Sequence, residues 1–283
     1  MRTLITALAT PYFDGKVDTV SYGKLVEYQL ASGVDALLAV GTTAEAQLLT
    51  VGEKTRLIKM TKRLACNVPV WVGVGGVTAQ AIREARLAES LGADGLLIAP
   101  PAFVKCTPKG YIAHVRDILN AVSIPIMLYN APSRCNYVLS VDVVTELATR
   151  ARYLKDAGKN IAYTATLSDK LTVLCGNDGL LTKMLTAGAT GVVSVVSNVA
   201  PQLTRKVLNG ENVTKQNNEY ENDCKLFRLL SKLSMLEVSP IAIKYMLYKK
   251  GIFANYNMRL PLTRASQATQ RAIDKAWEKF LIE

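Results

Sequence analysis

The chain runs to 283 residues with a formal net charge of +11, and 49% of its residues are hydrophobic against 20% charged. That is enough for one large α/β domain, or a barrel with a small addition, and the composition excludes a disordered chain. No apolar run approaches the roughly 18 to 20 residues that span a bilayer, and the basic residues form no Arg-rich tract with interleaved aromatics, so neither membrane nor nucleic acid is the expected partner and the positive field suits small anions.

Hydrophobic strand patterns alternate with amphipathic helix patterns along the chain. Thr3–Leu8 is the first strand and begins so early that no leader peptide is expected. A helix follows with Ser21 as its cap, carrying Leu25, Val26, Tyr28 and Leu30 to a stop at Gly33. Ala36–Val40 is the second strand, followed by a helix with Leu57, Ile58 and Met60. Val70–Val74 is the third, and Thr78 caps the helix after it. Gly95–Ala99 is the fourth, with a helix around Tyr111 to Leu119. Ile124–Tyr129 is the fifth, with a helix from Ser140. Tyr153–Gly158, Leu171–Cys175 and Gly191–Val196 complete a set of eight.

Continuous apolar strands indicate burial on both faces, hence a parallel sheet. Strand–helix units repeated in this way predict a (β/α)8 TIM barrel over residues 1–211. An open doubly wound sheet is the rival, but no G-x-G-x-x-G turn follows the first strand. Residues 212–283 show no strand pattern and predict a C-terminal helical domain, with helices over Lys215–Leu236, Pro240–Lys250 and Leu262–Leu281. The five cysteines, Cys66, Cys106, Cys135, Cys175 and Cys224, lack any C-x-x-C pair. They suggest neither a disulfide framework nor a zinc site, and fit a reducing cytoplasm.

Active sites of such barrels lie at the C-terminal ends of the strands. The second strand ends in Gly41-Thr42-Thr43-Ala44-Glu45, where hydroxyls and free N–H groups can cradle a carboxylate. The fifth ends in Tyr129-Asn130-Ala131-Pro132-Ser133-Arg134, offering a phenol for proton transfer and a guanidinium for bidentate carboxylate binding. The sixth ends in Leu154-Lys155-Asp156-Ala157, and a buried lysine amine held neutral is a nucleophile toward carbonyl carbon. His114, the one histidine, falls in the fourth helix, away from these ends.

These three segments, in this order, resemble the signatures of the dihydrodipicolinate synthase family, within the pyruvate-dependent class I aldolase superfamily that includes N-acetylneuraminate lyase. Pro240-Ile241-x-x-Lys244 and Arg259-Leu260-Pro261-Leu262-Thr263 resemble the family's C-terminal segments. The resemblance implies that Lys155 forms a Schiff base with pyruvate and Tyr129 shuttles protons. It implies that Thr42 and Thr43 bind the pyruvate carboxylate, with Thr43 also in the proton relay. It implies that Arg134 receives the carboxylate of aspartate semialdehyde, and that Gly176 and Val193 make backbone contacts to substrate. The implied reaction forms 4-hydroxy-tetrahydrodipicolinate for lysine biosynthesis, with no metal or diffusible cofactor, in a homo-oligomer that is a tetramer or dimer.

The pattern departs at named positions. Phe103 stands where the family carries a second tyrosine of the relay. Ala44-Glu45-Ala46 replaces Gly-Glu-Ser, so a left-handed backbone at Ala44 would be strained. Cys135-Asn136 replaces Thr-Gly, and asparagine tolerates that backbone. Ala46, Gly76, Gln80 and Ala102, at the positions of the family's lysine-binding cleft, offer little to a cation, so insensitivity to lysine is expected. The alternatives are an aldolase for a sugar-derived 2-keto acid, which Ser133-Arg134 disfavours, and a weakened relative that binds keto acids without turnover.

Overall fold

A computed structural model describes residues 2–210 and 218–282. In chain order, β1 (Thr3–Ala7) leads to a small hairpin, β2 (Tyr12–Phe13) and β3 (Lys16–Val17), and then α1 (Thr19–Ala31). The repeating units follow: β4 (Ala36–Ala39) and α2 (Val51–Ala65), β5 (Val70–Val74) and α3 (Thr78–Ser90), β6 (Gly95–Ile98) and α4 (Pro108–Ala121). Next come β7 (Ile126–Asn130) with α5 (Pro132–Cys135) and α6 (Val141–Leu147), then β8 (Tyr153–Asp156) with α7 (Ile161–Leu167). The barrel ends with β9 (Thr172–Cys175), α8 (Leu181–Thr186), β10 (Gly191–Ser194) and α9 (Pro201–Asn209).

The sheet closes in the order β1-β10-β9-β8-β7-β6-β5-β4, all pairs parallel, which is the expected TIM barrel. Alternation along each strand sends Ile5, Leu38, Leu97, Met127, Leu174 and Val193 to the barrel interior, while Leu4, Leu37, Leu96, Leu128, Val173 and Val192 pack against the helices. Both faces of these strands are buried, which is why their patterns are continuous rather than alternating.

Helix starts are where local reading and structure part. α1 is capped by Asp18, whose Oδ1 accepts from the N–H groups of Val20 and Ser21, while Ser21 turns its hydroxyl to Asp18 Oδ2 at 2.6 Å. Thr78 does not cap α3. Its hydroxyl meets His114 Nδ1 at 2.9 Å, and Val77 holds the cap position without a side-chain bond. The hairpin β2–β3 is absent from the sequence reading, although Asp14-Gly15, at φ 48° and 69°, is the pair that a tight hairpin turn requires.

Beyond the barrel lie α10 (Asn218–Ser234), α11 (Ile241–Lys249) and α12 (Gln267–Ile282). The expected start of the first of these at Lys215, and the division at 211/212, lie outside the described residues. α12 begins at Gln267 rather than Leu262 because Ser266 Oγ accepts from the Thr269 N–H at 3.2 Å and caps the helix. α10 packs on α9 and α11, and α11 on α12, so these helices sit against the barrel wall and one another. No helix among the described residues is long and apolar enough to cross a membrane.

Candidate active site

Register brings the two central side chains together. β7 and β8 pair Tyr129 with Lys155 and Asn130 with Asp156. Alternation then turns Tyr129 and Lys155 toward the interior, and Asn130 and Asp156 toward the helices. The outward pair locks the strand ends: Asp156 accepts from Asn130 Nδ2 at 2.8 Å, from the Gly158 N–H at 2.9 Å and from Thr164 Oγ1 at 3.1 Å. The inward pair stacks, with Lys155 Nζ 4.6 Å from the centre of the Tyr129 ring, and Lys155 is only 5% exposed. Gly176 closes over the lysine stem, since a Cβ there would stand 3.0 Å from Lys155 Cγ and 3.1 Å from the Ala157 nitrogen. Val193, on the interior face of β10, is buried beyond it.

The segment after β4 is a strained turn. Val40 and Glu45, at φ 54° and 57°, bracket a single 3-10 turn over Thr42–Ala44. The Ala44 and Glu45 N–H groups return to the carbonyls of Gly41 and Thr42, at 3.1 and 3.0 Å. The N–H groups of Thr42 and Thr43 open the turn and have no intrahelical acceptor. Thr42 is exposed and Thr43 buried. The left-handed residue is Glu45, not Ala44, so the alanine costs this turn nothing. For β-branched Val40 that backbone is an outlier. Gly73 on β5 permits it, because a Cβ at 73 would lie 2.4 Å from the Val40 carbonyl oxygen and 2.8 Å from Gly41 Cα.

Above the barrel mouth lies a cavity of about 600 Å³. Thr42, Tyr129 and Arg134 line it from the barrel side, and Ser239, Pro240 and Leu262 from the C-terminal segment. Lys155, Thr43, Gly176 and Val193 do not reach its wall, so Tyr129, which does, links cavity and lysine. Arg134 extends from α5, where Asn136 takes the left-handed cap at φ 49° as expected, and its Nη2 lies 3.5 Å from the Ser239 carbonyl. Phe103 stands on the rim at φ 63°, its ring fully exposed in the single chain. Its ring lines the edge of the cavity and brings no hydroxyl to the site.

One acidic group, Asp178, escaped the sequence reading, and so did the partner of another, Glu45. Asp178, after β9, accepts from the N–H groups of Val195 and Val196 at 2.9 and 3.0 Å and so fixes the end of β10. Burial raises its carboxyl above the ordinary carboxylate range, against the pull of those donors and of Lys155. Glu45 is paired at 2.7 Å with Lys244 of α11. His114 is buried in α4 with its Nδ1 at 2.9 Å from Thr78 Oγ1, and burial holds its ring toward the neutral form. Among the described residues no cluster of His, Cys, Asp or Glu side chains is arranged to hold a metal ion.

Comparison with known proteins agrees with this geometry. The chain is 36% identical over 288 residues to the 4-hydroxy-tetrahydrodipicolinate synthase of Fervidobacterium nodosum, covering 97% of this chain and 96% of that one. It is 33% identical to the enzyme of the same name from Aquifex aeolicus, over 98% of this chain and 96% of the other. Among solved structures, the chloride-inhibited dihydrodipicolinate synthase of Acinetobacter baumannii, complexed with pyruvate, superposes with a TM-score of 0.93 at 31% identity, over 100% of this chain and 99% of that one. A monomeric dihydrodipicolinate synthase variant superposes equally well, at 0.93 and 29% identity, over 100% and 98%. The model of the Dihydrodipicolinate synthetase family matches residues 1–279, and the chain belongs to that family.

Proposed function

We propose that this enzyme condenses pyruvate with L-aspartate 4-semialdehyde to 4-hydroxy-tetrahydrodipicolinate, a step of lysine biosynthesis, through a Schiff base on Lys155. The observation that carries the reading is the register pair Tyr129 and Lys155, a phenol stacked on a buried amine beneath a cavity lined by Thr42 and Arg134. The Lys155 amine attacks the keto carbon of pyruvate, the carbinolamine loses water, and the iminium draws electrons from the neighbouring methyl group. Loss of a methyl proton leaves an enamine, which bonds to the aldehyde carbon of the second substrate. The amine of that substrate then attacks the carbon bearing Lys155, closing the ring and freeing the enzyme amine.

Tyr129 moves the protons in this scheme, with Thr43 as the second hydroxyl of the relay. Thr42 and Thr43 receive the pyruvate carboxylate, Arg134 that of the semialdehyde, and the backbone at Gly176 and Val193 contacts the bound keto acid. No metal or diffusible cofactor enters. Borohydride reduction in the presence of pyruvate, followed by mass analysis of the peptide carrying Lys155, tests the reading. An adduct at Lys155 and none in Lys155→Ala is the expected result; a wild-type chain without adduct would refute it.

Insensitivity to lysine belongs to the same proposal. Ala46, Gly76, Gln80 and Ala102 line one side of the cavity. The carboxylate there, Glu84, is already engaged by Lys54 Nζ at 2.7 Å and Gln80 Nε2 at 3.2 Å. The enzyme is further proposed to work in the cytoplasm as a homo-oligomer, dimer or tetramer, which light scattering would resolve. Exposed Phe103, Val104 and Val77 are apolar surface that a second copy would cover.

A further inference from the structure

A buried ion pair ties the C-terminal helices to the turn that carries Thr42 and Thr43. Lys244 Nζ, on α11, donates to Glu45 Oε1 at 2.7 Å, and the two side chains are 0% and 1% exposed. The second oxygen of Glu45 is buried with no hydrogen-bond partner. The Tyr12 ring lies 4.2 Å from Lys244 Nζ and 4.4 Å from Arg259 Cζ. Arg259 in turn grips Glu53, which closes the capping box of α2 with the N-cap Thr50, and the Leu48 carbonyl at 3.0 Å. Turn, hairpin, α2 and C-terminal segment thus meet at one charged knot.

Two features make this more than a staple. An ion pair removed from water returns little net stability compared with apolar residues of similar size, so folding alone is a weak reason for it. Burial acts against both charges, raising the Glu45 carboxyl and lowering the Lys244 ammonium to about 8. Left-handed backbone at a residue other than glycine also persists only where its surroundings hold it. Glu45 is such a residue, one position beyond the Thr42–Ala44 turn. Gly73 accommodates the Val40 end of that turn, and Lys244 holds the Glu45 end.

We infer that Lys244 and Glu45 are positioning residues for the keto-acid carboxylate: the pair sets the Thr42–Thr43 turn, so α11 governs pyruvate affinity without touching pyruvate. This rests on the reaction proposed above. The dependence of borohydride-trapped Lys155 adduct on pyruvate concentration reads that affinity directly. Lys244→Met alone strands the buried Glu45 charge and puts folding itself at risk; the double variant Glu45→Gln with Lys244→Met removes both charges and keeps the volume. In the double variant the half-saturating pyruvate concentration rises roughly tenfold or more, while the amount of Lys155 adduct trapped at saturating pyruvate stays that of the wild type. Lys244→Arg, which keeps the charge, recovers most of the affinity. A folded double variant that half-saturates within about twofold of wild type overturns the inference and leaves the reaction standing. Absence of adduct in the unaltered enzyme overturns the reaction, and this inference with it.

Discussion

Lys155 owes its setting to three neighbours that each act differently. Tyr129 covers the amine with a ring 4.6 Å away, Gly176 leaves room for the stem, and Leu174 lies beside it in the next strand. His114 is buried in α4 and bonded to Thr78, away from the strand ends, so the proposed reaction leaves proton transfer to the phenol. Tyr129→Phe is therefore expected to lower kcat by about 10²–10⁴-fold. It should still yield the borohydride adduct at Lys155, at a lower rate. Unchanged kcat would assign the proton transfer to another group. Phe103 adds nothing to such a relay, because a phenyl ring has no proton to pass.

At the scale of the element, the turn between β4 and α2 concentrates the strain of the site. Gly73 is the neighbour that tolerates it, and Gly73→Ala forces a methyl against the Val40 carbonyl at 2.4 Å. The expected cost is about 1–3 kcal/mol in denaturant unfolding, as for other overpacked sites, with weaker pyruvate binding. The start of α2 carries a separate charge effect. Hydrogen bonding to Arg259 pulls the Glu53 carboxyl from its ordinary 4.5 down to about 2. A lowered carboxylate stabilises the fold above its unfolded-state value and loses that contribution as pH falls through the folded value. Glu53→Gln should thus unfold about 1–3 kcal/mol more easily at pH 7. The gap between variant and wild type should close as pH falls from about 4.5 to about 2. A gap independent of pH would show that Glu53 acts through its capping geometry alone.

For the whole molecule, the cavity is a joint product of the barrel mouth and the segment from Val238 to Leu262. On the wall that includes Ala46, Gly76 and Gln80, Glu84 is paired with Lys54. Lysine at millimolar concentration is expected to leave the initial rate unchanged in a coupled assay, and strong inhibition would contradict this reading. The C-terminal helices are expected to matter to catalysis through the Lys244–Glu45 pair as well as through the cavity wall they complete.

Local pattern alone carried much of this protein. Apolar runs of strand length, separated by helical periodicity, specify a parallel barrel because each run must be buried on both faces. The barrel then places Thr42, Tyr129 and Lys155 at one end without any knowledge of contacts. What local pattern could not supply was the choice among near-equivalent partners. Ser21 and Thr78 both read as caps, yet Asp18 takes the first helix and His114 draws the second hydroxyl away. Nothing near Val40 in sequence announces a left-handed valine, because the permission comes from Gly73 on the next strand. Nor does Glu45 announce Lys244, which lies 199 residues further on. Short-range periodicity encodes backbone geometry, whereas the pairing of buried charges depends on which surfaces meet once the barrel has closed, and only the folded chain decides that.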